Sequence, residues 1–72
     1  MELLKASKAK KGSIRFYVKI FFNNETKKYS VYANNTNFNW GHCALFDTLE
    51  EAQNDYYNTI RLYDYYDWEE VK

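Results

Sequence analysis

His42 and Cys43 are the one adjacent pair in this chain that sets a nucleophile beside a base, or two metal ligands side by side. Nucleophilic catalysis needs both groups to converge within hydrogen-bond reach. The short apolar run from His42 to Phe46 reads as a strand, and neighbours on a strand point to opposite faces. A structural zinc needs about four ligands, and this pair supplies two at most. Cys43 therefore reads as a small packing residue. Gly12 and Gly41 stand alone, so there is no glycine-rich phosphate loop, and no pair of carboxylates falls in an identifiable cleft. No catalytic residue, metal or cofactor is expected, and the chain reads as a non-enzyme.

Two other groups of residues carry the chemistry of recognition. Lys8, Lys10, Lys11, Arg15, Tyr17, Lys19, Lys28 and Tyr32 interleave cations with aromatic rings. That mixture suits phosphate contacts combined with base stacking. Asp55, Tyr57, Arg61, Asp64, Tyr65 and Trp68 form the second group, where aromatic anchors sit among carboxylates. Aromatic anchors of this kind suit a protein interface. Charge follows the same division. Met1 to Thr36 holds eight Lys/Arg against two Asp/Glu, and Asn37 to Lys72 holds two against eight, so a formal net charge of zero conceals a dipole. Such asymmetry points to two faces of opposite sign.

The elements that must position these residues can be read from periodicity. Residues 1–13 are basic and nearly aperiodic, and read as a flexible arm ending at Gly12. Ile14 to Phe22 alternates strictly: Ile14, Phe16, Val18, Ile20 and Phe22 on one face, Arg15, Tyr17, Lys19 and Phe21 on the other. The polar stretch Asn23-Asn24-Glu25 predicts a turn, and a second strand follows from about Thr26 to Ala33, making a hairpin. Asn34 to Gly41, with Phe38 and Trp40 inserted, reads as a loop, and His42 to Phe46 as a third strand. Asp47 with Glu50, or Thr48 with Glu51, has capping-box spacing and opens a helix reaching about Tyr66. Leu49, Ala52, Tyr56, Ile60 and Tyr63 form its apolar stripe. Residues 67–72 read as an acidic tail. The expected fold is α+β, a three-stranded antiparallel sheet packed on one C-terminal helix (β-β-β-α, two layers), with residues 14–66 as the single domain.

Seventy-two residues make one small domain, and one cysteine excludes an internal disulfide. Aromatic side chains, 21% of the chain, must supply the core. Each ring buries roughly 150–250 Å². Six aromatics between Tyr56 and Trp68 exceed what one sheet face can cover around a helix, which favours an interface role; an aromatic homodimer is another outlet. No stretch approaches the length of a membrane span, no secretion signal is evident, and a lone cysteine fits a reducing cytoplasm. Abundant Lys, Asn, Tyr and Phe fit A/T-rich codons and a small phage or mobile-element product.

The pattern Gly12-x-x-x-Phe16-Tyr17-Val18, a short strand, then Phe46-x-Thr48-x-x-Glu51-Ala52 resembles the N-terminal arm-type DNA-binding domains of phage and transposon integrases. The resemblance covers residues 12 to about 63. It implies a three-stranded sheet backed by one helix and laid in a DNA groove. By composition the chain is also similar to small phage inhibitors of host defence, such as anti-CRISPR proteins, which implies a protein partner such as a nucleic-acid-binding host complex, in the host cytoplasm. The leading expectation is protein binding through the acidic, tyrosine-rich helix and tail. A sheet-face DNA-binding module and a structural homodimer are the alternatives.

Overall fold

A computed structural model of the chain describes residues 1–37, 40–64 and 66–72. Phe38 and Tyr65, both named above, lie outside the described residues. The elements run β1 (Glu2–Lys11), β2 (Ile14–Asn23), β3 (Lys28–Asn35), β4 (Gly41–Phe46), α1 (Leu49–Leu62) and β5 (Asp67–Glu70). All strands belong to one antiparallel sheet in the order β4-β3-β2-β1-β5. Among the described residues the fold is α+β with a single helix across one sheet face, as the sequence implies. The sheet has five strands rather than three, however, and the helix is followed by a strand.

Both added strands come from segments that look unstructured in isolation. Residues read as a mobile arm form β1, which pairs with β2 from Glu2↔Phe22 to Lys11↔Ile14 with one irregularity between Leu3 and Lys5. Residues read as an acidic tail form β5, which closes on β1 through Ser7↔Glu70 and Lys10↔Asp67. The main chain continues the pairing past the strand end, with Val71 N–H donating to the Ala6 carbonyl at 2.8 Å. The β1–β2 hairpin turns on Gly12-Ser13. Gly12 has a φ of +62°, a conformation a side chain disfavours. At the β2–β3 turn, Glu25 N–H donates to the Asn23 side-chain oxygen at 2.9 Å, the Asx interaction that makes asparagine a turn residue.

One sheet face is buried under α1. Val18, Ile20, Val31 and Ala33 contribute to the core from the central strands, and Ala52 and Tyr56 from the helix. Tyr56 is the largest fully buried side chain, and its hydroxyl hydrogen-bonds the hydroxyl of buried Ser7 on β1. Burial raises the Tyr56 phenol pKa above its ordinary value, against an opposing pull from the Ser7 hydrogen bond. The helix begins where the sequence places it: Thr48 is the N-cap, its hydroxyl accepting from Glu51 N–H at 3.2 Å. Thr48→Ala is expected to cost about 1 kcal/mol, read as a fall of roughly 4–8 °C in Tm for a domain of this size. An unchanged melting curve would show that the cap does not hold α1.

The helix stops at Leu62, a turn earlier than its aromatic pattern suggests. The aromatic residues beyond it turn back onto the sheet. Tyr66 stacks on Phe16 at 4.3 Å between ring centres, and Trp40 meets Phe16 and Tyr63 edge-on at 5.6 and 4.9 Å. Trp40 indole N–H donates to the Tyr63 hydroxyl at 2.7 Å, and Trp68 indole N–H donates to the Tyr63 carbonyl at 2.8 Å. Half-buried Trp68 thus packs against the core cluster. The apparent excess of aromatics is therefore largely core, because a helix end, a turn and a fifth strand share the covering between them. Among the described residues no helix is long and apolar enough to cross a membrane.

Candidate functional site

Residues opposite one another in an antiparallel pair share a face, so the register assigns every strand residue to a layer. Val18 stands opposite Ser7 and Ala33 on the helix side. The uncovered face then carries Lys8, Tyr17 and Asn34 in one cross-strand row, and Lys19, Tyr32 and Cys43 in the next. Beyond the first row, Lys10 stands opposite Arg15. Beyond the second, Leu3, Phe21 and Leu45 make a largely apolar row interrupted by Ser30, and Asn23 stands opposite Lys28. Seven of the eight residues singled out as a nucleic-acid surface therefore share one open face: Lys8, Lys10, Arg15, Tyr17, Lys19, Lys28 and Tyr32. Lys11 is the exception. Opposite Ile14 it belongs to the helix side, where its ammonium lies 5.5 Å from the centre of the Tyr66 ring.

Tyr17 and Tyr32 occupy adjacent strands on a diagonal, with Lys19 opposite Tyr32 and two residues along from Tyr17. The Lys19 ammonium lies 5.6 Å from the centre of the Tyr17 ring, a cation–π arrangement that steadies the ring. Tyr32 is 43% exposed, and its hydroxyl accepts a long contact from the Asn34 amide at 3.5 Å.

The electrostatics of this face are set by five cations and three carboxylates. Asp67 and Glu69 of β5 stand opposite Lys10 and Lys8, and Lys8 meets Glu69 at 4.0 Å. Lys28 pairs with Asp47 at the far end. Lys10, Arg15 and Lys19 make no salt bridge among the described residues. The apolar end of the same face is a groove of about 610 Å³ bounded by Met1, Phe21, Tyr32, Cys43 and Leu45, with Lys28 at its rim. Phe21 was legible on this face from the alternation of β2. Leu45 was not, because the pairing of β4 has no signal in the sequence.

The six residues read as a protein-binding surface divide among three surroundings. Asp55 faces the sheet, where its carboxylate lies 2.6 Å from His42 Nε2. Trp68 packs inward as described. Tyr57 and Arg61, four residues apart, share the outer side of α1, and Asp64 is exposed just beyond its end. Tyr65 lies outside the described residues. Leu62, the last residue of α1, is 74% exposed on the flank of the helix that faces Trp40 and His42. His42 and Cys43 do diverge: His42 turns to Asp55 under the helix, and exposed Cys43 lies on the open face.

Lys5 and Glu70 join β1 to β5 through a 2.7 Å ion pair. The hydrogen bond that the Lys5 ammonium donates to Glu70 raises the Lys5 pKa, with burial acting in the opposite direction.

No family model, no curated protein and no solved structure matches this chain.

Proposed function

We propose that this protein is a non-enzymatic binding module that takes single-stranded nucleic acid on its uncovered sheet face. The observation that carries the reading is the diagonal pair Tyr17 and Tyr32 on neighbouring strands, with the Lys19 ammonium over the Tyr17 ring and with Lys10 and Arg15 alongside, neither in a salt bridge among the described residues. Tyrosine rings on adjacent strands offer stacking platforms for successive bases, while flanking cations track the backbone. The face keeps a local excess of positive charge although the whole chain is neutral, and local field governs encounter with a polyanion.

Width favours a single strand over a duplex. Five strands spaced 4.7–4.9 Å apart make a sheet about 19 Å across, and the major groove of B-DNA is only about 12 Å wide. The groove-inserted mode implied by the integrase resemblance suits a narrower, three-stranded sheet. Tyr17→Ala and Tyr32→Ala are each expected to weaken binding of a fluorescent oligonucleotide by roughly 1–3 kcal/mol, the range for one lost base–aromatic stack. Unchanged affinity in both variants would remove the stacking role.

A second reading rests on the opposite layer. Tyr57, 45% exposed, and Arg61 share the outside of an acidic helix, and Asp64 is exposed just beyond its end. That surface suits a protein partner, and inhibition of a host nucleic-acid-handling or defence complex by a phage-encoded protein is its most concrete form. Capture of a host protein that is lost with Tyr57→Ala and Arg61→Glu, and kept with Tyr17→Ala, would favour it over the sheet-face reading.

A further inference from the structure

The two edges of the sheet are built differently. β5 is four residues long and carries Asp67, Glu69 and Glu70, so a second strand laid against it meets a row of carboxylates. Short length and charge are the usual ways a sheet edge is kept from pairing. β4 has neither protection. Its six residues, Gly41-His42-Cys43-Ala44-Leu45-Phe46, contain no Lys, Arg, Asp or Glu, and the chain has no proline. Its pairing with β3 runs from Tyr29↔Phe46 to Asn34↔Gly41 without a bulge. The one ionisable ring on it, His42, is engaged by Asp55 on the helix side. Leu45 projects from the open face 70% exposed, and Cys43 beside it is also exposed.

We propose that β4 pairs with β4 of a second copy of this chain, forming a two-fold dimer with a continuous ten-stranded sheet. Antiparallel self-pairing requires a two-fold axis perpendicular to the sheet, which keeps both helices on one side and both open faces on the other. Identical strands match in length, and because β4 has no Lys, Arg, Asp or Glu, self-pairing opposes no like charges. Leu45 of one copy then stands opposite Gly41 or Cys43 of the other. The space above Gly41 is open enough to receive it, since a Cβ there meets only the Ala33 carbonyl oxygen, at 3.5 Å. A domain of 72 residues, short of core and without a disulfide, is the kind of chain that gains stability from such an association.

Cys43 is the only cysteine in the chain and sits at the middle of β4, so it reports this interface directly. In a register centred on Cys43 the two Cβ atoms lie about 4.5–5.5 Å apart, and in one centred on Ala44 about 7–8 Å. A short bismaleimide spans both. The full chain, treated with that reagent at micromolar concentration, is expected to give a covalent dimer, and sedimentation velocity to give a concentration-dependent dimer. Leu45→Lys, at an exposed position, is expected to keep the circular dichroism of the unaltered chain. It should weaken the dimer by at least about tenfold, because the two-fold sets the new charge into the seam twice. Cys43→Ser should abolish the cross-link and retain the sedimenting dimer. A monomer at every concentration with no cross-link would overturn the proposal. So would a dimer that neither cross-links through Cys43 nor responds to Leu45→Lys, since its interface would then lie elsewhere.

Discussion

The double substitution Arg15→Glu with Lys19→Glu is expected to lower oligonucleotide affinity at low salt by at least about a hundredfold. Each lost phosphate contact is a charge-assisted hydrogen bond of roughly 1.5–3 kcal/mol, and each new carboxylate adds repulsion. Arg15 is exposed and Lys19 half-exposed, with no salt bridge to break at either among the described residues, so the fold should survive. Residual binding in the variant should also respond less to salt, because the slope counts the phosphates neutralised. Circular dichroism and a salt series on the same sample would separate loss of the surface from loss of the domain. Unchanged affinity would mean that the cations of the open face serve solubility only.

Tyr56→Ala is expected to have the largest effect on stability. Tyr56 is fully buried between α1 and the sheet, and its hydroxyl is the partner of a Ser7 hydroxyl that is itself buried. Emptying a site of that size costs roughly 3–5 kcal/mol, and an orphaned hydroxyl adds about 1–3 kcal/mol. A chain of this length has a total stability of roughly 4–11 kcal/mol, so the variant should be largely or wholly unfolded at room temperature. Tyr56→Phe keeps the ring and loses only the hydroxyl pairing, and should remain folded. Urea denaturation of the two variants checks both statements, and a midpoint for Tyr56→Ala close to that of the unaltered chain would contradict the assigned core.

The same residue gives stability a pH dependence. Folding raises the pKa of the Tyr56 phenol, and Lys5 shifts in the same direction through Glu70. Both groups hold their protons longer in the folded chain than in the unfolded one. Their contribution is fully present below their unfolded pKa values of about 10 and is lost as pH rises through the folded values. Stability is therefore expected to decline above about pH 10, less steeply in Tyr56→Phe.

How much of this was legible depended on which residues could announce their own geometry. β2 alternates large apolar and polar side chains and identified itself, and with the following hairpin it grouped Arg15, Tyr17, Lys19, Lys28, Ser30 and Tyr32, while the register that puts them together on the open face came only from the strand pairing. β1 stayed hidden because its inward residues are Ser7 and Ala9, small side chains of low strand propensity. They become core positions only because Tyr56 reaches over one and Trp68 stands opposite the other on β5. β5 has no apolar alternation at all, only Trp68 among acids, and it pairs because β1 presents an open edge. The helix end was missed for a related reason: Tyr63, Tyr66 and Trp68 have spacing a helix could carry, yet stacking on Phe16 and the indole bond to the Tyr63 carbonyl direct them elsewhere. The set read as protein-binding depended on that continued helix, and so it divided. The acidic tail was read as a second surface when its Asp67 and Glu69 in fact border the basic one.

The most direct test of the sheet-face reading is a fluorescence-anisotropy titration of the unaltered protein with single- and double-stranded oligonucleotides of one sequence, across a series of salt concentrations. The expected result is saturable binding that favours the single strand. Its logarithm should fall linearly with the logarithm of salt, with a slope of about −0.7 per phosphate neutralised. Absence of binding to either form at the lowest salt would contradict that reading and leave the outer face of the helix as the surface to pursue.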